Sequence, residues 1–131
     1  MKPHWITEDE IIANKHTHIY IYGDDKTGKA FLGQGEVCAG KSNCFPIWTR
    51  IWPCQNLTAH SAMWNSLPLK LAAETIEHNC FKPIEEFLHT SPDHIVKVLP
   101  KIGQGCANLQ KYNPELLKFI QEFLATLPTN I

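Results

Sequence analysis

The chain has 131 residues, of which 44% are hydrophobic and 19% charged. That length and balance fit one globular domain over residues 1–131 with a core of its own, and exclude a disordered or collagen-like chain. Lys and Arg number 12 against 13 Asp and Glu, a net charge of -1, so a nucleic-acid partner held by bulk basic charge is excluded too.

In chain order, Thr7-Glu8-Asp9-Glu10 fits a capping box and predicts a short helix that ends near Asn14. His18-Ile19-Tyr20-Ile21-Tyr22 is β-branched and aromatic throughout, which predicts a strand buried on both faces and stopped by Gly23. Gly23 to Lys29 reads as a loop, and Gly33-Gln34-Gly35 leads into a helical turn from Glu36 that Gly40 closes. Asn43 to Trp48 is a second extended piece, and Pro46 argues against a central position for it. Residues 49–65 read as irregular.

Ser66 and Pro68 start the next helix, whose apolar positions are Leu67, Leu71, Thr75 and His78, with Ile76 beside them. Pro83 either kinks this helix or opens a second one, and Ser91-Pro92-Asp93 breaks it. Ile95 to Leu99 is another strand, stopped by Pro100. Asn113-Pro114 then caps a final helix with Leu116, Leu117, Ile120, Phe123, Leu124 and Leu127 on its apolar face. Strands alternating with helices predict a compact three-layer α/β fold, its sheet mixed or mostly parallel and flanked by helices.

No apolar run reaches the roughly 20 residues of a membrane span, and Met1 to Trp5 lacks the pattern of a secretory leader. With five scattered cysteines, an odd number, the expectation is a cytoplasmic chain with free thiols and no membrane partner. His16 and His18 fall on one face if the strand already runs through both, but no zinc spacing accompanies them, and no metal or other cofactor is expected. Trp48, Trp52 and Trp64 either pack inside or offer a wall to a nucleobase.

Two segments share one design: a buried strand, a glycine-rich loop, then a helix. The first runs from Ile21 through Gly23, Asp24 and Asp25 to Gly33-Gln34-Gly35-Glu36. The second runs from Val98 through Ile102-Gly103-Gln104-Gly105 to Cys106 and Ala107. Glycine lets the backbone approach a ligand closely, and a helix N-terminus offers unpaired N–H groups to a phosphate. Two such loops on neighbouring strands could clamp a diphosphate, though ordinary turns use glycine as well.

Ile19-Tyr20-Ile21-Tyr22-Gly23-Asp24-Asp25 followed by Gly33-Gln34-Gly35 resembles a group of uncharacterised phage and bacterial proteins. Their pattern reads F-G-D-N, G-K-G-G-Q-A, N-A-x-G-I-P-T-K and a late P-x-x-G-I-G-T-G-x-A-x-L. Asn43 to Arg50 matches the third block and Leu99 to Leu109 the fourth, so the resemblance covers residues 18–50 and 95–127. That group in turn resembles compact macrodomains, which bind ADP-ribose and in some members hydrolyse ADP-ribosyl bonds.

The resemblance implies a macrodomain-like fold and an ADP-ribose-like or other nucleotide diphosphate ligand. Its contacts would be Gly23, Asp24, Asp25, Gly33, Gln34, Gly35, Glu36, Ile102, Gly103, Gln104, Gly105, Cys106 and Ala107. Asp25 stands where the family carries Asn, and an ionised carboxylate accepts hydrogen bonds where an amide also donates.

If the chain hydrolyses its ligand, Asp25 or Asp24 is the candidate base, Asp25 first. The plainer reading of that pair is Asx-turn chemistry at the start of a loop, and Glu36 equally suits a helix dipole. Cys106 beside a helix start could instead be a nucleophile needing a His partner, or a small buried thiol. A further alternative is a protein-interaction modulator of phage or pathogen origin, with the Trp-rich middle as its contact surface.

Overall fold

A computed structural model describes residues 6–24, 37–38, 40–49, 69–100, 102 and 109–128. Helix α1 is Glu8–Ala13; the Thr7 side chain accepts the Glu10 N–H at 3.2 Å, and Asn14 closes the helix. Strands β1 (His18–Asp24), β2 (Cys44–Trp48) and β3 (Ile95–Val98) form one parallel sheet in the order β2-β1-β3. Helix α2 (Leu69–Ile76) runs through a π turn, Glu77–Phe81, into α3 (Lys82–Thr90). A short α4 (Leu109–Tyr112) precedes α5 (Pro114–Ala125), which Asn113 caps by accepting the Leu116 N–H at 3.2 Å.

The alternation of side chains along β1 builds the layers. Ile19 and Ile21 point to one face, where Ile47, Ala72, Ile76, Phe81, Ile84, Val96, Leu116 and Ile120 cover them. Tyr20 and Tyr22 point to the other, packed with Ile11 of α1, Cys38 and Leu99. Both faces are therefore dry, which is why the strand reads as an unbroken apolar run. Aromatic stacking joins the π turn to α5, with the Phe81 and Phe123 rings 3.8 Å apart and parallel within 6°.

Pro46 sits in β2, which pairs only with β1 among the described strands; a residue without an N–H is tolerated there. Gly23 and Asp24 belong to the strand rather than to the loop, because the Thr49 N–H donates to the Asp24 carbonyl at 2.9 Å and extends the ladder. Pro83 stands at the opening of a second helix: after one wide turn, in which the Lys82 N–H donates to the Glu77 carbonyl, α3 begins at Lys82 with Pro83 in its first turn, where a missing N–H is tolerated.

The buried face of α2 differs from the one expected. Ala72, Ile76 and Cys80 point inward, whereas Leu71 is 47% exposed and His78 faces solvent. Ala, Ile and Cys four residues apart form the inner stripe, and the larger Leu71 is one position off it. His16 lies in the turn before β1, so it shares no strand face with His18. His18 instead accepts or donates a 2.7 Å hydrogen bond with Thr17 and stacks beside Tyr20. Ser66, Pro68 and Leu67, and the irregular middle with Trp52 and Trp64, lie outside the described residues.

Candidate functional site

The strand order fixes where a ligand could enter. From β1 the chain steps to β2 on one side, then crosses back over β1 to β3 on the other. Parallel crossovers are right-handed, so opposite directions of travel require connections on opposite faces. The packing agrees: Val37 and Cys38, between β1 and β2, sit on the tyrosine face. Ala72, Ile76, Cys80 and Ile84, between β2 and β3, sit on the isoleucine face. After β3, Leu109, Leu116 and Ile120 also return to the isoleucine face. The described parts of the connections after β1 and β3 thus lie on opposite faces, the arrangement at which open α/β sheets take ligands beyond the carboxyl ends of their strands.

The expected site residues that are described lie at this end. Gly23 and Asp24 close β1, paired with Ile47 and Trp48 of β2. The Leu99 N–H donates to the Ile21 carbonyl at 2.9 Å, so the chain leaves β3 close to Gly23. Ile102 follows, its side chain buried in the isoleucine-face core, which anchors that turn from within. Asp24 is 3% exposed, and its carbonyl also accepts the Thr49 hydroxyl at 3.3 Å. Asp25, Gly33, Gln34, Gly35, Glu36, Gly103, Gln104, Gly105, Cys106 and Ala107 lie outside the described residues.

The electrostatics of this end are those of a buried carboxylate among weak acids. Burial first, and then the Asp24 charge, push the Tyr22 hydroxyl well above the ordinary tyrosine value. Burial also pushes the Cys80 thiol up to about 12, opposed by the Trp48 N–H that its sulfur accepts at 3.4 Å and reinforced by Asp24. Both groups stay protonated at neutral pH, so neither is a ready nucleophile. Trp48, half-buried beside Asp24 in the register, is the described member of the predicted aromatic wall.

The other end of the tyrosine face holds a network that the sequence did not announce. The Tyr20 hydroxyl donates to Glu10 at 2.9 Å and accepts from the Asn14 amide at 2.9 Å, and Lys97 reaches the same Glu10 oxygen at 3.4 Å. Buried Asn43 donates to the carbonyls of Ile11 and His18. These groups tie α1 to the sheet. Among the described residues, no group of three or more His, Cys, Asp or Glu could hold a metal ion, and no helix is long and apolar enough to cross a membrane.

The arrangement defines a class: an α/β protein with a small parallel sheet, helices on both faces and a topological switch between its first and last described strands. Within that class the chain belongs to the family of unknown function DUF7831, whose profile matches residues 1–123. No curated protein and no solved structure matches it.

Proposed function

We propose that this chain binds a nucleotide diphosphate of the ADP-ribose type, in macrodomain-like fashion, at the carboxyl ends of β1 and β3. The observation that carries the reading is the reversal of strand order at β1, the kind of switch point beyond which open α/β sheets take their ligands. In this reading the phosphates lie against N–H groups of residues 33–36 and 103–107, supplied by backbone and needing no net positive charge. The ribose faces Asp24 or Asp25, whose carboxylates accept from its hydroxyls, and the base meets Trp48 and the aromatic segment beyond it. Binding is favoured over turnover because no complete catalytic set is assembled among the described residues.

A thermal-shift panel of ADP-ribose, NAD, ATP and cyclic nucleotides tests this. A ligand at 100 times its Kd stabilises by about 2.7 kcal/mol, which at roughly 4 °C per kcal/mol raises Tm by about 10 °C. Gly105→Val, which puts a branched side chain where the backbone must approach the phosphates, is expected to abolish the shift while the chain still unfolds cooperatively. Product formation that Asp25→Ala removes would make the chain a hydrolase of such bonds. Absence of stabilisation by every nucleotide refutes the reading and favours the protein-interaction alternative.

A further inference from the structure

Two cysteines six positions apart come together at the amino end of β2, the opposite end of that strand from Trp48 and its partner Asp24. The Lys41 N–H donates to the Cys38 carbonyl at 3.1 Å, and the Cys44 N–H donates to the Lys41 carbonyl at 3.2 Å. These successive turns, with Gly40 between them at φ +77°, fold Cys38 back against Cys44. Cys38 is fully buried in the tyrosine-face cluster, and Cys44, half-buried, packs against that cluster. Both are free thiols gathered in one cluster, close enough for each sulfur to act on the other's proton.

We propose that Cys38 and Cys44 form an oxidisable dithiol, in which Cys44 reduces a hydroperoxide and Cys38 then closes a disulfide. Cys44, the less buried residue of the two, meets the oxidant, and the fully buried Cys38 resolves it within the cluster. The Cys44 thiolate attacks one oxygen of hydrogen peroxide; the O–O bond breaks, and the leaving hydroxide takes up the proton that Cys44 lost and departs as water. Cys44, oxidised by two electrons, becomes a sulfenic acid. The Cys38 sulfur attacks the Cys44 sulfur, the S–O bond breaks, and hydroxide leaves with the Cys38 proton as a second water. In sum, two thiols and one peroxide give one disulfide and two waters.

The charge distribution suits those roles. The neighbouring Cys38 thiol lowers the Cys44 thiol from its ordinary value, and the nearby Lys41 ammonium acts in the same direction against burial. The same pairing, with burial, raises Cys38, which therefore keeps its proton until the second step. Cys80, on the opposite face of the sheet and pushed up to about 12, is an internal comparison.

The test is hydrogen peroxide titration of the reduced full chain, followed by dimedone or iodoacetamide trapping and peptide mass mapping. Cys44 is expected to oxidise about tenfold or more faster than Cys80, because a thiol held below its ordinary value ionises more readily than one held above it. One Cys38–Cys44 disulfide is expected to follow, reversible by dithiothreitol. Cys38→Ser should accumulate a dimedone adduct at Cys44, and Cys44→Ser should leave Cys38 reduced. Cys44 reacting no faster than Cys80, a disulfide joining Cys44 to any cysteine other than Cys38, or oxidation of Cys38 in Cys44→Ser overturns the proposal. The wild-type mapping decides the question by itself if either variant fails to fold.

Discussion

Removing one oxygen from the tyrosine face tests how α1 is held to the sheet. In Tyr20→Phe the ring still fills the space between Ile11 and the sheet, but Glu10 loses the hydroxyl donor at 2.9 Å and keeps Lys97 at 3.4 Å. The Asn14 amide, half-buried, loses its acceptor but can turn to water. A hydrogen bond to a charged group is worth about 1.5–3 kcal/mol, so the variant should be about 2 kcal/mol less stable at pH 8. For a chain of this size that is a Tm lower by roughly 8 °C.

The pH dependence makes the prediction specific. Burial, the largest cause, together with the neighbouring Glu10 raises the Tyr20 hydroxyl to about 12. In the unfolded chain it titrates near 10. The folded state therefore holds the proton more tightly, and the contribution is complete below pH 10 and lost as pH rises towards 12. At pH 11 the wild type has lost on the order of 1 kcal/mol through this group, whereas Tyr20→Phe has lost nothing through it. Urea unfolding of both proteins should show their gap shrinking from about 2 kcal/mol at pH 8 to about half of that or less at pH 11. A gap that stays constant with pH, or a neutral substitution at pH 8, refutes the assignment of the hydroxyl to Glu10.

Two further substitutions probe the approach to β2. Asn43 is 5% exposed, and its amide serves the carbonyls of Ile11 and His18 at 3.1 and 3.3 Å. Asn43→Ala leaves buried acceptors unpaired and should cost about 1–3 kcal/mol in denaturant unfolding; a loss below about 0.5 kcal/mol would mean that those carbonyls find other donors. Gly40 has φ +77° with nothing within 4 Å of where a Cβ would stand. Gly40→Ala should therefore cost about 1–2 kcal/mol from backbone strain alone, and an unchanged Tm would show that this turn relaxes without it.

Local grammar located most of the described elements. Thr7 three residues before Glu10, Asn113 before Pro114, and the apolar run from Ile19 to Tyr22 each act through neighbours a few residues away, so their signals are written in adjacent positions. The inner face of α2 was not legible in the same way. Leu71 is a stronger apolar signal than Ala72, but α2 packs against α5 with Ala72 and Ile76 turned inward, and the wide turn at residues 77–81 lets the stripe continue into Cys80 and Ile84. The glycine-rich segments were visible as composition, and the switch point they would serve depends on the order of strands.

The sequence by itself determined that β1 is buried on both faces, because a strand without polar alternation can be satisfied only between two layers. It also determined where α1 and α5 begin, because the Thr7 and Asn113 caps are short-range hydrogen bonds. Only the tertiary structure decided that β1 lies between β2 and β3, that the chain reverses its direction of travel there, and that Cys38 meets Cys44 across two turns. Strand order and thiol contact are relations between segments that touch through space. Such relations are settled when the faces of Ile19 and Tyr20 choose their partners, and no single stretch of residues carries them.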